Sequence, residues 1–282
     1  MDCYDLEVSP AWCPGCGNFP ILKALKKALA GLELEPHQVL LCSGIGQAAK
    51  IPHYLKGNVF NGLHGRSLPA ATGAKLVNPD LTVIAESGDG DMYGEGGNHL
   101  THAILRNADI TVLVHNNQVY GLTKGQASPT SEEGFVTKIQ VDGYRHTRFN
   151  PLTYALSLKA GFVARGFSGD TGHLSDIIQA AVRYRGFSLV DILMPCISFN
   201  KVNTFAWYKK RVYKLEDEDW APDDRRRAYD RAGEWGERIP TGIFYSRKRL
   251  CYNELLPELQ GEPLIDRSRS PQRVKEIYPD FF

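Results

Sequence analysis

Two polar blocks carry the residue types needed to hold a metal ion against an anion. One is Ser87-Gly88-Asp89-Gly90-Asp91, and the other is His115-Asn116-Asn117-Gln118-Val119-Tyr120-Gly121. A carboxylate, an amide oxygen and a main-chain carbonyl form a hard oxygen set suited to Mg²⁺, an ion that usually keeps phosphate oxygens as further ligands. Gly88 and Gly90 let the backbone come close to a diphosphate, where main-chain N–H groups and a following helix start favour negative charge. Gly-Asp-Gly alone also fits an ordinary glycine-rich turn. Its pairing with Asn-Asn, one strand–helix–strand unit later, is what makes the pattern specific.

Cysteines offer a second chemistry. Trp12-Cys13-Pro14-Gly15-Cys16-Gly17 is a C-x-x-C in a Gly/Pro turn before a helix, and Met194-Pro195-Cys196 ends an apolar run. Two thiolates at that spacing can grip zinc, an iron–sulfur cluster or serve as a redox dithiol. No strand precedes the pair, which argues against a thioredoxin-like role. Cys196 alone also fits a buried core cysteine. Cys3 and Cys251 have no ligand context.

The elements that must position these groups read as strand and helix in alternation. Residues 38–42, 81–85, 110–114 and 188–193 are short apolar runs expected as buried strands. Residues 20–29, 97–106 and 174–184 carry helical patterns. The alternation predicts an α/β fold, a largely parallel sheet with helices on both faces. Asp89 and Asn117 each follow a predicted strand, and ligands of such sheets bind beyond the carboxyl ends of the strands. Residues 1–200 are expected as one domain. Residues 201–282, more than twice as charge-dense and rich in Arg, Tyr and Trp, are expected as an extension packing on that domain or on a partner.

Composition narrows the classes. A chain of 282 residues that is 43% hydrophobic, with mean hydropathy −0.30, is neither disordered nor membrane-spanning. A net charge of +1 gives no reason to expect nucleic acid or an anionic membrane. The first ten residues hold neither a basic region nor an apolar run, so the cytoplasm is expected, where free thiols are kept reduced.

The paired blocks resemble the thiamine diphosphate signature, which opens on Gly-Asp-Gly and closes on Asn-Asn. That resemblance implies that Asp89, Asn117 and the Val119 carbonyl hold Mg²⁺ on the diphosphate. Such enzymes also need an activating glutamate on a pyrimidine-binding domain, for which this chain has no room. Cys13-Pro-Gly-Cys16-Gly, Leu63-His64-Gly65-Arg66, Gly97-Asn98-His99-Leu100, Tyr120-Gly121-Leu122-Thr123-Lys124-Gly125-Gln126 and Pro195-Cys196-Ile-Ser-Phe-Asn200 carry the likeness further. Together the chain resembles the β subunit of 2-oxoacid:ferredoxin oxidoreductases, most of all the 2-oxoglutarate branch. The resemblance implies thiamine diphosphate, Mg²⁺ and a [4Fe–4S] cluster as cofactors. It implies an α subunit and ferredoxin as partners, and 2-oxoglutarate, coenzyme A and CO₂ as substrates or products in a reversible reaction. By the same resemblance Cys13, Cys16 and Cys196 are cluster ligands. Ser43, Gly44, Ile45, Gly46, His64, Gly88, Gly90 and Asp91 lie along the cofactor, and Gly121 and Leu122 lie near its reacting end. Asp91 could instead serve the turn itself.

Two positions depart from or refine that pattern. Similar subunits carry a cysteine in Gly-Ile-Gly-Cys, where this chain has Gln47, a poor ligand for a soft iron–sulfur centre. Cys42, five residues earlier, is expected as the replacement thiolate; the alternatives are an unusual fourth ligand or no stable cluster, with Cys42 then a core cysteine. Lys50 is expected to pair with the distal carboxylate of 2-oxoglutarate, with a solvated lysine as the alternative. Rival functions are a pyruvate or other 2-oxoacid enzyme, a thiamine-dependent synthase or decarboxylase without redox chemistry, which leaves the cysteines unexplained, and a zinc-binding assembly protein, which leaves the Mg²⁺ motif unexplained.

Overall fold

The apolar runs pair into one sheet. In the computed structural model, which describes residues 2–267 and positions 272, 275, 276 and 279, the strands are β1 (Val39–Ser43), β2 (Asn58–Asn61), β3 (Thr82–Gly88), β4 (Thr111–Asn116), β5 (Val119–Tyr120), β6 (Gln126–Ala127), β7 (Phe162–Phe167), β8 (Ser188–Leu193), β9 (Val212–Lys214) and β10 (Ile239–Ser246). Eight of them form a sheet in the order β2-β1-β3-β4-β8-β7-β10-β9, while β5 and β6 make a separate small ribbon. The six strands from β2 to β7 run parallel to one another. β10 then lies antiparallel to β7, and β9 parallel to β10. β4, β7 and β8 are buried along their whole length, as parallel strands covered on both faces must be.

The α-helices among the described residues include α1 (Asn18–Gly31), α2 (Ser67–Val77), α3 (Gly97–Arg106), α4 (Pro151–Ser157), α5 (Thr171–Arg183), α6 (Phe205–Lys209), α7 (Arg225–Ala232) and α8 (Tyr252–Leu255). α1 is built from Ala, Leu and Lys, strong helix formers, and buries Ile21, Leu22, Ala24, Leu25, Ala28 and Leu29 along one stripe. With α5 it covers one sheet face, packing on Val39, Leu41, Ile84 and Leu113. α2, α3, α4 and α7 cover the other, packing on Cys42, Ala85, Val112 and Val114. Side-chain caps set several starts: Asn150 accepts from the N–H groups of Leu152 and Thr153, Asp170 from His173, and Asp224 from Arg226 and Arg227.

Four sheet strands fall outside the expected runs. β2 is exposed at every position. β7 contains Arg165 and Gly166, and β10 contains Pro240 and Gly242, so none reads as an apolar run. β9 and β10 come from the charged segment 201–282 and extend the sheet of the preceding residues. Its arginines lie over its own aromatic rings, Arg211 4.4 Å from the Trp207 centroid and Arg238 4.2 Å from that of Tyr213. The last part of that segment lies outside the described residues.

Candidate active site

At the carboxyl edge of the sheet the chain changes direction: β2 lies outside β1, while β3 returns on its other side. Loops leaving β1, β3, β4 and β8 diverge there and line one cleft, as expected at a topological switch point. Its wall includes Ile45, Gly46 and Gln47 after β1, Gly88–Asp91 from the end of β3 onward, Asn117 and Val119–Thr123 after β4, Met194 after β8, and His64. β3 and β4 are hydrogen-bonded neighbours with Gly88 opposite His115, which is why Asp89 and Asn117 reach the same place. The structure thus brings Ile45, Gly46, His64, Gly88, Asp89, Gly90, Asp91, Asn117, Val119, Gly121 and Leu122 to one cleft. Ser43 and Gly44 are not among the lining residues. Lys50 is half-buried in the short helical segment Ala48–His53 and is not among the lining residues.

Asp89 is 1% exposed. Its Oδ2 accepts from Ser128 Oγ at 2.5 Å and lies 2.5 Å from Thr130 Oγ1. Thr130 Oγ1 is also 2.9 Å from Asn116 Oδ1, and the Asn116 amide donates to Asp191 at 3.1 Å. Asp191 accepts from the Tyr93 hydroxyl at 2.8 Å and faces the Arg165 guanidinium at 3.8 Å, in a fully buried ion pair. A chain of contacts therefore runs from the sheet interior to Asp89. Burial pushes the Asp89 carboxyl up to about 6; the Ser128 and Thr130 hydroxyls and the Asn117 N–H pull the other way. A divalent cation would offset that burial. With the Asn117 amide and Val119 carbonyl in the same cleft, the donors are the hard oxygens Mg²⁺ takes, so the residues fit the ion.

Asp91 serves the turn. Its Oδ1 accepts from Gly65 N at 2.9 Å and its Oδ2 from Ser87 Oγ at 2.6 Å, tying the Gly65 loop to the end of β3. A Cβ on Gly44 would stand 1.9 Å from Asp91 Oδ2, and one on Gly90 would stand 2.3 Å from the Tyr120 ring. These two glycines are required by close approach. Asn117 Oδ1 accepts from Val119 N at 3.0 Å, and Asn200 donates to the Asn117 carbonyl at 3.1 Å, fixing the second block.

Cys13, Cys16 and Cys196 gather at the same edge. Cys16 N donates to the Cys13 carbonyl at 2.9 Å, and Ser198, two residues after Cys196, donates to Cys13 Sγ at 3.2 Å. Burial pushes the Cys16 thiol up, and repulsion from Cys196 and Cys13 pushes the same way. Soft thiolates suit an iron–sulfur cluster, so the residues fit three of its corners. Among the described residues no three His, Cys, Asp or Glu side chains are placed to share a single ion. Cys42 does not join the three. Strand alternation turns it to the α2–α3 face, whereas Cys16 packs on the α1–α5 face. Burial pushes its thiol up to about 12, the behaviour of a core cysteine, so its placement does not support the expected replacement thiolate.

Residues 40–192 match the thiamine pyrophosphate enzyme C-terminal TPP-binding domain, and residues 196–261 match the family formed by the C-terminal part of the pyruvate ferredoxin oxidoreductase β chain. A 2-oxoacid:ferredoxin oxidoreductase β subunit from Aeropyrum pernix is 45% identical across 96% of this chain and 89% of its own. The chain belongs to the 2-oxoacid:ferredoxin oxidoreductase β-subunit family. A Sulfolobus member is 44% identical across 88% of this chain and 84% of its own. The 2-oxoglutarate oxidoreductase subunit KorB of Mycobacterium tuberculosis is 45% identical across 67% and 51%. A solved 2-oxoglutarate:ferredoxin oxidoreductase from Magnetococcus marinus, with 2-oxoglutarate, coenzyme A and succinyl-CoA bound, superimposes with a TM-score of 0.90 at 33% identity, covering 98% of this chain and 94% of its counterpart. Membership as a β subunit implies an α partner. No helix among the described residues is long and apolar enough to cross a membrane.

Sequence reasoning missed Ser128, Thr130, Asn18 and Glu95, and quoted His115 and Tyr120 within their motif without giving either a role. His115 shares a 2.8 Å bond between its Nδ1 and Asn18 Oδ1, and burial lowers it to about 3, so it is a neutral wall of the cleft. Ser128 and Thr130 lie in Ser-Pro-Thr, which reads only as a turn; no local pattern points it at Asp89.

Proposed function

We propose that this chain is the thiamine diphosphate- and cluster-bearing half of a 2-oxoglutarate:ferredoxin oxidoreductase. The single observation that carries the reading is the convergence of Asp89 and Asn117 from paired strands in one cleft, with Cys13, Cys16 and Cys196 at the same edge. Asp89, the Asn117 amide oxygen and the Val119 carbonyl would hold Mg²⁺. The glycine-lined loops at Ser43–Gly46 and Gly88–Gly90, with His64, would receive the diphosphate, and Gly121 and Leu122 would face the reacting end. When bound, thiamine diphosphate supplies the nucleophilic carbon and electron sink for decarboxylating a 2-oxo acid, with a [4Fe–4S] cluster passing electrons to ferredoxin and coenzyme A taking the acyl group.

The chain's own residues orient and exclude. Ser128 and Thr130 hold one oxygen of Asp89, which fixes the direction of the other. Asn200 and Val119 N fix Asn117. His115, buried and neutral, adds no competing positive charge. The run to CO₂ release and its reverse, CO₂ fixation, would use the same site. The choice of 2-oxoglutarate over pyruvate rests on the relatives named for it and on Lys50, which follows the lining residues Gln47 and Ala48 and would pair with the distal carboxylate. The expected compartment is the cytoplasm.

Calorimetric titration of the chain with its α partner tests the reading. Asp89→Ala should abolish Mg²⁺-dependent thiamine diphosphate binding while the fold is retained. Tight binding by that variant would defeat the assignment.

A further inference from the structure

Four thiolates normally complete a cubic four-iron cluster, and this chain brings three cysteines to one edge of the sheet. The other cysteines are elsewhere. Cys42 faces the opposite side of the sheet. Cys3 adjoins Tyr4, whose hydroxyl donates to Leu34 beyond the far end of α1, whereas Cys16 precedes that helix's start. Cys251 adjoins Tyr252, whose N–H donates to the Asn107 carbonyl before β4 begins, at the amino edge of the sheet, while Cys196 follows β8 at the carboxyl edge.

Gln47 follows β1 at the same edge. Its carbonyl accepts from the indole of Trp12, the neighbour of Cys13, at 2.9 Å. Gln47 lines the same cleft as Asn18, Met194 and Gly121, each tied to one of the other two cysteines: Asn18 follows Cys16 by two positions, Met194 precedes Cys196 by two, and a Cβ on Gly121 would lie 3.8 Å from Cys196 Sγ. Its Oε1 is buried without a hydrogen-bond partner, a condition that calls for a ligand or water.

We propose that Gln47 takes the fourth corner of an iron–sulfur centre held otherwise by Cys13, Cys16 and Cys196, its amide oxygen leaving one iron weakly held and open to exchange. The inference rests on the reading that these cysteines hold such a centre. An amide oxygen is a hard, neutral donor, a weak match for iron in a sulfide core. The iron it faces should therefore be the first lost on mild oxidation: the four-iron centre in its 2+ state gives a three-iron centre in its 1+ state, one Fe²⁺ and one electron, which ferricyanide accepts.

The test uses the complex with its α partner, purified anaerobically, titrated with ferricyanide and followed by electron paramagnetic resonance and released iron. The wild type should give the three-iron signal with one iron released per centre. Gln47→Cys should suppress both at least tenfold, and Cys42→Ala should behave as wild type. Retention of all iron by the wild type, or a Cys42→Ala chain that loses its centre as Cys13→Ala does, would overturn the assignment of Gln47. A complex without iron or sulfide would instead overturn the underlying reading of the cysteines. Should Gln47→Cys fail to fold, the wild-type titration and Cys42→Ala still decide.

Discussion

At the scale of single residues, the cleft depends on groups that carry no motif. Asp89 stands in a recognisable Gly-Asp-Gly, yet the hydroxyls that orient it come from Ser128 and Thr130, far along the chain. A hydrogen bond to a charged group contributes about 1.5–3 kcal/mol. Thr130→Val should therefore weaken Mg²⁺–thiamine diphosphate binding by roughly 10- to 100-fold, with little change in the thermal midpoint; calorimetry beside a melting curve checks both. Glu86 is a different case. It is fully buried in β3, neither oxygen has a partner, and burial holds its carboxyl well above the ordinary value of 4.5. The folded chain keeps that proton while the unfolded chain releases it, so above the ordinary value stability falls with rising pH, by up to about 1.4 kcal/mol per unit until the folded-state value is reached. Glu86→Gln should remove that slope and gain on the wild type from pH 5 to 8 in urea unfolding. Parallel profiles would mean that Glu86 is ionised in the fold. No residue-level pattern announces Glu86, because a lone glutamate in an apolar run looks like a boundary.

At the scale of elements, the strands before the two motif blocks were legible because a parallel strand covered on both faces must be apolar throughout. The runs expected at 81–85, 110–114 and 188–193 became β3, β4 and β8 with only end shifts. β7 was hidden by Arg165, whose charge is tolerated because Asp191 sits directly opposite in the β7–β8 register and Trp235 and Phe244 lie beside the guanidinium. Breaking one partner of a buried pair costs about 3–5 kcal/mol. Arg165→Met should lower stability by that amount, and adding Asp191→Leu should recover part of it in chemical denaturation; a neutral Arg165→Met would contradict the pairing. The loops answer to closeness. Gly44→Ala would drive a methyl group into Asp91 Oδ2. It should release the Gly65 and Ser87 contacts, costing about 1–3 kcal/mol and weakening cofactor binding together, as read by melting and calorimetry.

At the scale of the whole molecule, the fold class and the family were legible because long motifs sit at strand ends, where the fold must put its ligands. The segment 201–282 was less legible. Its charge and aromatic content suggested a surface-seeking extension, and only three-dimensional pairing shows β10 beside β7 with arginines stacked on its own rings. Membership in the β-subunit family implies an α partner. The direct test is anaerobic reduction of a viologen dye by 2-oxoglutarate and coenzyme A, measured for this chain alone and for its complex with the α partner. The proposed function requires no reduction by the single chain, and reduction by the complex that depends on coenzyme A and is lost in Asp89→Ala. Full activity from the single chain, or an Asp89→Ala complex as active as the wild type, would contradict it.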